Sequence, residues 1–248
     1  MLAIIGGSGL TRLSTLAIAH REVVRTPYGE PSSALIFGQI AEREVVFLAR
    51  HGHGHTIPPH RVNYRANLWA LKQRGVDAIL AVASVGSIAS GHAPGDLVLP
   101  HQLVDYSSGR EATFFDGGDR KVVHVDFTQP YTPALRARCL AAARTAGLGL
   151  HDGGVYAAVS GPRLETAAEI DRMGRDGATL VGMTGMPEAA LARELNLAYV
   201  SIAVVVNHAA GRGDSAQSVA LDRIVGVLET AMEQVRRLID HVVAQDSS

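Results

Sequence analysis

The 248-residue chain has a single cysteine, Cys139, so no intrachain disulfide can form and the chain fits a reducing compartment. It has no excess of either charge. Lys plus Arg number 23 and Asp plus Glu 24, and the resulting net charge of -1 gives no general attraction to nucleic acid or to an anionic membrane. A local basic pocket for a small anion stays open. No stretch approaches the roughly 20 apolar residues of a membrane span. The opening MLAIIGGSGL lacks a basic leader, so no signal peptide is expected. Tandem repeats, low-complexity tracts and composition breaks are also missing. The expectation is therefore a single domain over residues 1–248, in the cytoplasm.

Against these absences stands an abundance of histidine: there are 11, four of them between His51 and His60. Hydrophobic residues make up 47% and charged residues 19%, enough apolar material for a large core. Val-, Ile- and Ala-rich runs recur at Leu2–Ile5, Ala34–Phe37, Glu44–Ala49, Ala78–Ala83, Asp96–Pro100, Val155–Ser160, Thr179–Gly182 and Tyr199–Val206. Several are nearly continuous rather than alternating, the pattern of strands covered on both faces. Helical patterns fall at Asn63–Arg74, Pro133–Ala146, Thr166–Arg175, Pro187–Leu195 and Ser218–Val243. The last carries an apolar stripe through Leu221, Ile224, Leu228, Met232, Val235, Ile239 and Val242. Alternating strands and helices predict a three-layer α/β fold around a mostly parallel or mixed sheet. In such folds ligands sit beyond the strand ends.

Polar residues follow those strands. Gly6-Gly7-Ser8-Gly9-Leu10 leaves the first strand as a Gly-rich turn, where backbone N–H groups and one hydroxyl can converge on an anion. An ordinary tight turn is the plainer reading. The third glycine of a dinucleotide fingerprint is missing, and no Gly-Lys-Ser/Thr follows. Arg50-His51-Gly52-His53-Gly54-His55 follows another strand and allows three readings: a metal site, an anion-binding loop, or a polar surface loop. Ser84-Val85-Gly86-Ser87, Gly161-Pro162-Arg163-Leu164-Glu165-Thr166 and Met183-Thr184-Gly185-Met186-Pro187-Glu188 are further polar strand ends. Glu165 could simply be a carboxylate at a helix start. Asn207 ends the most apolar strand, where a turn-forming role is the common one. Together these groups outline a pocket for a phosphate and a polar heterocycle.

GGSGL, ARHG followed by HTIPPHRVNYRANLWALK, SVGS, GPRLET and VGMTGMPEAALARE, in this order, resemble the trimeric purine nucleoside phosphorylase and methylthioadenosine phosphorylase family. The resemblance runs from residue 4 to about residue 206. It implies a phosphorylase fold, a mixed central β-sheet flanked by helices. It also implies cleavage of a purine N-glycosidic bond by inorganic phosphate, a co-substrate, with no metal or organic cofactor. Phosphate would be held by Ser8, Arg50, His51, Ser84 and Thr184, and Met183 would lie under the ribose. Ser8, Arg50 and Asn207 would form the catalytic set.

The same resemblance separates the family's branches. Asn207 and Glu165 stand where the inosine and guanosine branch has Asn and Glu, whereas the adenine branch has Asp at position 207. Asn207 can donate to N7 or O6, and ionised Glu165 can accept from the N1–H that a 6-oxopurine has and adenine lacks. A mismatch of that kind discriminates strongly. Where the inosine branch places a His on the last helix, this chain has Leu221 and Ile224, an apolar wall suited to a methylthio group. His124 matches a histidine that a neighbouring subunit contributes, which implies a homotrimer. A 6-oxopurine base and an apolar 5′ pocket imply 5′-methylthioinosine as substrate. Inosine or guanosine, and 5′-methylthioadenosine, are the alternatives. Leu164 replaces the Phe that stacks on base and sugar, and Ala83 stands where relatives often carry a hydroxyl.

Overall fold

The computed structural model describes residues 1–118 and 121–245. The expected three-layer α/β architecture is present. Among the described residues eleven strands form one mixed sheet: β1 (Leu2–Gly6), β2 (Ala17–Glu22), β3 (Leu35–Ile40), β4 (Arg43–Ala49), β5 (Ala78–Ser87), β6 (Leu97–Leu99), β7 (Gln102–Asp105), β8 (His151–Asp152), β9 (Val155–Ala158), β10 (Leu180–Gly182) and β11 (Ala198–His208). The helices are α1 (Tyr64–Gln73), α2 (Pro133–Ala146), α3 (Ala167–Arg175), α4 (Gly185–Glu194) and α5 (Leu221–Ala244).

Successive side chains on a strand face opposite layers. Leu2 and Ile4 of β1 pack with Val45, Phe47, Leu80, Val200 and Ile202 beneath α2 and α5, where Cys139, Val235, Leu238 and Ile239 close the core. Ala3 and Ile5 face the other way, with Val46, Leu48, Ile79 and Ala81, beneath α1 and α4. Covered on both faces, these strands read as continuous apolar runs. Each fully buried Leu or Ile stabilises the fold by about 1.5–3 kcal/mol.

Local chemistry sets the helix ends. Asn63 accepts from the Ala66 N–H at 3.0 Å and starts α1. Gly147, in the left-handed region at φ 65°, stops α2. Thr166 and Glu169 form a reciprocal capping box at α3, so the helix-start carboxylate is Glu169 and not Glu165. Two helix starts differ from expectation by more than one residue. α4 starts at Gly185, two residues early, because its first turn carries a kink at Met186. α5 starts at Leu221, three residues late, with no side-chain cap at Ala220.

Strands β2, β7 and β8 were not expected. β2 is an edge strand, Ala-Ile-Ala-His-Arg-Glu, exposed over its first five residues, so it lacks the burial pattern that marks a strand. β7 and β8 are too short to show a period.

Strand β5 is the spine of the sheet. β11 pairs with it in parallel from Ala198↔Ala78 to His208↔Ser87. On its other edge β1 pairs only as far as Ile5↔Ala81, and β10 joins in antiparallel fashion at Val181↔Gly86. Between them the edge of β5 from Val82 to Val85 has no strand partner. This fork creates the floor of the principal cavity.

Candidate active site

The cavity over the fork has a volume of about 670 Å³, within the range of small-molecule sites. Gly7 leads β1 over the fork. A Cβ there would lie 2.5 Å from the Val82 carbonyl oxygen and 2.9 Å from Arg50 Nη1, so glycine is what the close approach permits. Next to it Ser8 lines the cavity, with its Oγ 3.5 Å from His55 Nε2.

Arg50 immediately follows β4 and is 1% exposed. Its Nη1 donates to the free Val82 carbonyl at 2.8 Å. Nε and Nη2 donate to Glu188 Oε2 and Oε1 at 2.7 and 2.8 Å, a bidentate pair with a carboxylate that is itself 0% exposed. The Tyr199 hydroxyl donates to Glu188 Oε1 at 2.8 Å. Burial alone would lower the guanidinium's proton affinity; the Glu188 carboxylate outweighs burial and holds it above its ordinary value. Of the five guanidinium N–H groups, these three bonds leave one each on Nη1 and Nη2. A buried, always-charged group is thus fixed at the cavity wall.

His51 follows directly and is 5% exposed. One ring nitrogen, Nδ1, is 2.8 Å from the Ile57 carbonyl oxygen and must be the protonated one to donate there. Burial first, and Arg50 second, pull the imidazolium down to about 4. The ring is neutral at pH 7, so Nε2 is an acceptor. Ser84 lies on the unpaired stretch of β5, and its buried hydroxyl has no hydrogen-bond partner. Thr184 precedes α4 without a side-chain bond to the helix, leaving its hydroxyl out of capping. It is buried against the cavity, and its N–H lies 3.4 Å from the Tyr156 hydroxyl. Ser8, Arg50, His51, Ser84 and Thr184 therefore all line this one cavity.

Met183 also lines the cavity. Gly161, at φ 64°, gives way to it: a Cβ there would fall 2.4 Å from the Met183 sulfur. Leu164, Glu165 and Asn207 line it as well. Asn207 sits where β11 slips register against β5, after Val205, and its Nδ2 donates to the His208 carbonyl at 2.6 Å. The bulge turns a strand residue towards the cavity. Glu165 has been released from helix capping by Glu169, and burial raises its carboxyl above the usual value. Leu164 is 40% exposed at the rim. Ala83 and Ala209 also line the wall.

α5 supplies Leu221, Ile224 and Leu228 to the lining, preceded by Val219. These side chains are all apolar. His124 does not reach the cavity of its own chain. It lies in an exposed segment beside Val122 and Val123, which are 73% and 42% exposed. His53 and His60 lie outside the cavity lining, and His55 belongs to it.

Sequence reasoning missed Glu188, Tyr199 and Tyr156. The available signal was Glu188 itself, an acidic residue inside the apolar run Pro187-Glu188-Ala189-Ala190-Leu191. Such a carboxylate in a buried helix needs a cationic partner.

A family model described as the phosphorylase superfamily matches residues 1–244. A protein of Pseudomonas syringae pv. tomato named as a probable S-methyl-5′-thioinosine phosphorylase is 52% identical over 242 residues, 98% of each chain. The 6-oxopurine nucleoside phosphorylase of Pyrococcus furiosus is 44% identical, covering 96% of this chain and 90% of its own. Among solved structures, methylthioadenosine phosphorylase from Schistosoma mansoni in complex with adenine superposes with a TM-score of 0.93 at 33% identity, over 98% of this chain and 90% of the other.

Proposed function

The chain belongs to the phosphorylase superfamily, and from that premise we propose that it cleaves S-methyl-5′-thioinosine with inorganic phosphate. The products are hypoxanthine and 5-methylthioribose 1-phosphate. The observation that carries this reading is that one cavity is lined both by hydrogen-bonding groups suited to a purine and by an apolar set from α5. Asn207 and Glu165 are the first, and Leu221, Ile224 and Leu228 the second.

In the reaction a phosphate oxygen forms a bond to the anomeric carbon while the bond from that carbon to N9 breaks, and its electron pair moves into the purine. Arg50 supplies fixed positive charge for the nucleophile, and Ser8, Thr184 and the unpartnered Ser84 hydroxyl supply neutral donors. Neutral His51 offers Nε2 as an acceptor for the phosphate's own P–O–H. The second Nδ2 hydrogen of Asn207 can stabilise charge developing at N7 or O6. Glu165 as a carboxylate accepts from N1–H. Opposite adenine it would face another acceptor, which favours a 6-oxopurine.

At the 5′ end, an apolar wall would leave a hydroxyl without a partner but takes a methylthio group at no such cost. The exposed valines around His124 are suited to cover by a second copy of the chain, which would bring His124 to a neighbouring pocket and give a homotrimer. No metal or organic cofactor enters any step. Among the described residues no helix is long and apolar enough to cross a membrane.

A substrate panel tests the reading: methylthioinosine, inosine, guanosine, methylthioadenosine and adenosine, each with and without phosphate. Phosphate-dependent cleavage with the highest kcat/KM on methylthioinosine is expected. A higher kcat/KM on inosine would move the assignment to an ordinary 6-oxopurine nucleoside phosphorylase, and a higher one on methylthioadenosine would overturn the roles of Asn207 and Glu165. Light scattering tests the trimer.

A further inference from the structure

Outside the cavity, three metal-ligating side chains meet at the β6–β8 edge of the sheet. His92, Asp96 and His151 each bring one ligand atom within 4.8 Å of those of the other two. His92 and Asp96 come from the turn that leads into β6. The Ala93 N–H donates to Asp96 Oδ2 at 2.7 Å, and the Asp96 N–H donates to the Ala93 carbonyl at 3.0 Å, so this turn is internally fixed. The Asp96 backbone carbonyl also accepts from the Val205 N–H at 2.9 Å, which ties the turn to β11. His151 arrives from β8, opposite Val98 of β6.

The geometry is close to what a small divalent ion needs. His151 Nε2 lies 3.4 Å from Asp96 Oδ2. Ligand atoms at about 2.0–2.1 Å from a tetrahedral zinc ion are separated by roughly 3.3–3.4 Å, so this edge of the polyhedron is already formed. The two imidazole rings meet edge-on at 5.0 Å between centroids. His92 Nδ1 is buried and has no hydrogen-bond partner. Two neutral imidazoles and one carboxylate give an N2O donor set of charge -1, which suits a borderline divalent ion rather than a hard one such as magnesium.

We propose that His92, Asp96 and His151 form a binding site for a divalent transition-metal ion of the zinc class, separate from the catalytic pocket, with water completing the coordination. Binding ties the residue 92–96 turn to β8, a strand of only two residues. The ion therefore acts as a clip on the sheet edge, and it stabilises the folded chain by mass action.

The test uses the full-length protein after chelation and dialysis. Zinc at micromolar concentration is expected to bind at one equivalent per chain by elemental analysis, and to raise the melting temperature where magnesium does not. His151→Ala and Asp96→Asn are expected to lower zinc affinity by at least about tenfold and to remove the thermal shift, while both proteins keep their phosphorolytic activity without metal. His53→Ala, in the histidine-rich loop, is expected to leave binding unchanged. The proposal is overturned if wild-type protein retains no zinc, or if His151→Ala and Asp96→Asn bind zinc like wild type.

Discussion

Replacing Glu188 with glutamine keeps the shape of the side chain and removes its charge. In the native protein Glu188 and Arg50 are both essentially inaccessible and are joined by bonds of 2.7 and 2.8 Å. Their charge centres are roughly 4 Å apart, which at an effective dielectric constant of about 20 corresponds to about 4 kcal/mol of attraction. Breaking one side of a buried pair typically costs about 3–5 kcal/mol, because the surviving charge stays buried and uncompensated. Glutamine can still accept one Arg50 bond, but its amide N–H groups then face another donor. For a chain of this length such a loss lowers the melting temperature by roughly 6–20 °C. Phosphate is expected to act as a replacement counter-charge for Arg50. Scanning calorimetry of Glu188→Gln with and without saturating phosphate should therefore show a larger phosphate-induced rise than wild type shows. A melting temperature equal to that of wild type would refute the energetic argument. Equal phosphate shifts in the two proteins would place Arg50 out of the ligand's reach.

Three other changes probe different parts of the site. Asn207→Asp gives a carboxyl that, when protonated, donates to N7 and no longer favours a 6-oxopurine; the kcat/KM ratio of methylthioadenosine to methylthioinosine is expected to rise by about tenfold or more, and an unchanged ratio would count against Asn207 as a base-reading residue. Ile224→His places a donor in the apolar wall. The preference for methylthioinosine over inosine should fall by about 10–200-fold, as measured by competition between the two substrates. His51 concerns stability. Its folded value of about 4 lies below the ordinary value of 6.5, so the unfolded chain binds the proton more readily. Stability should then rise with pH between about 4 and 6.5, and be lost on acidification through that window, by ~3 kcal/mol in total. Denaturant titrations of wild type and His51→Gln across this range check it: the variant should lack that part of the slope.

Much of the fold was legible because burial on both faces writes itself into sequence as apolar runs. β1, β4, β5 and β11 run through both core layers, and each was visible as a run of apolar residues. β2 was invisible for the opposite reason: an edge strand exposed at Ala17 to Arg21 has no apolar period to read. The candidate site was legible as a set of polar residues at strand ends, and the cavity does gather Ser8, Arg50, Ser84, Glu165, Thr184 and Asn207. The roles within it were not. That His51 is neutral depends on a carbonyl six residues along the chain and on burial, neither of which spacing encodes. The Arg50–Glu188 pair joins residues 138 positions apart. Such a contact is a property of the packed sheet and has no local signature.

The fork in the sheet divides the cavity into parts with different freedom to change. Its floor is built from Gly7, Arg50 and the bare edge of β5, all in contact with one another or with the core. A substitution there disturbs folding before it can alter chemistry. The rim is another matter: Leu164 and Leu221 are 40% and 63% exposed. New substrates can therefore be explored by drift at the rim while the anion-holding floor stays intact. On this architecture, diversification should proceed through the base and the 5′ group, with the nucleophile held constant.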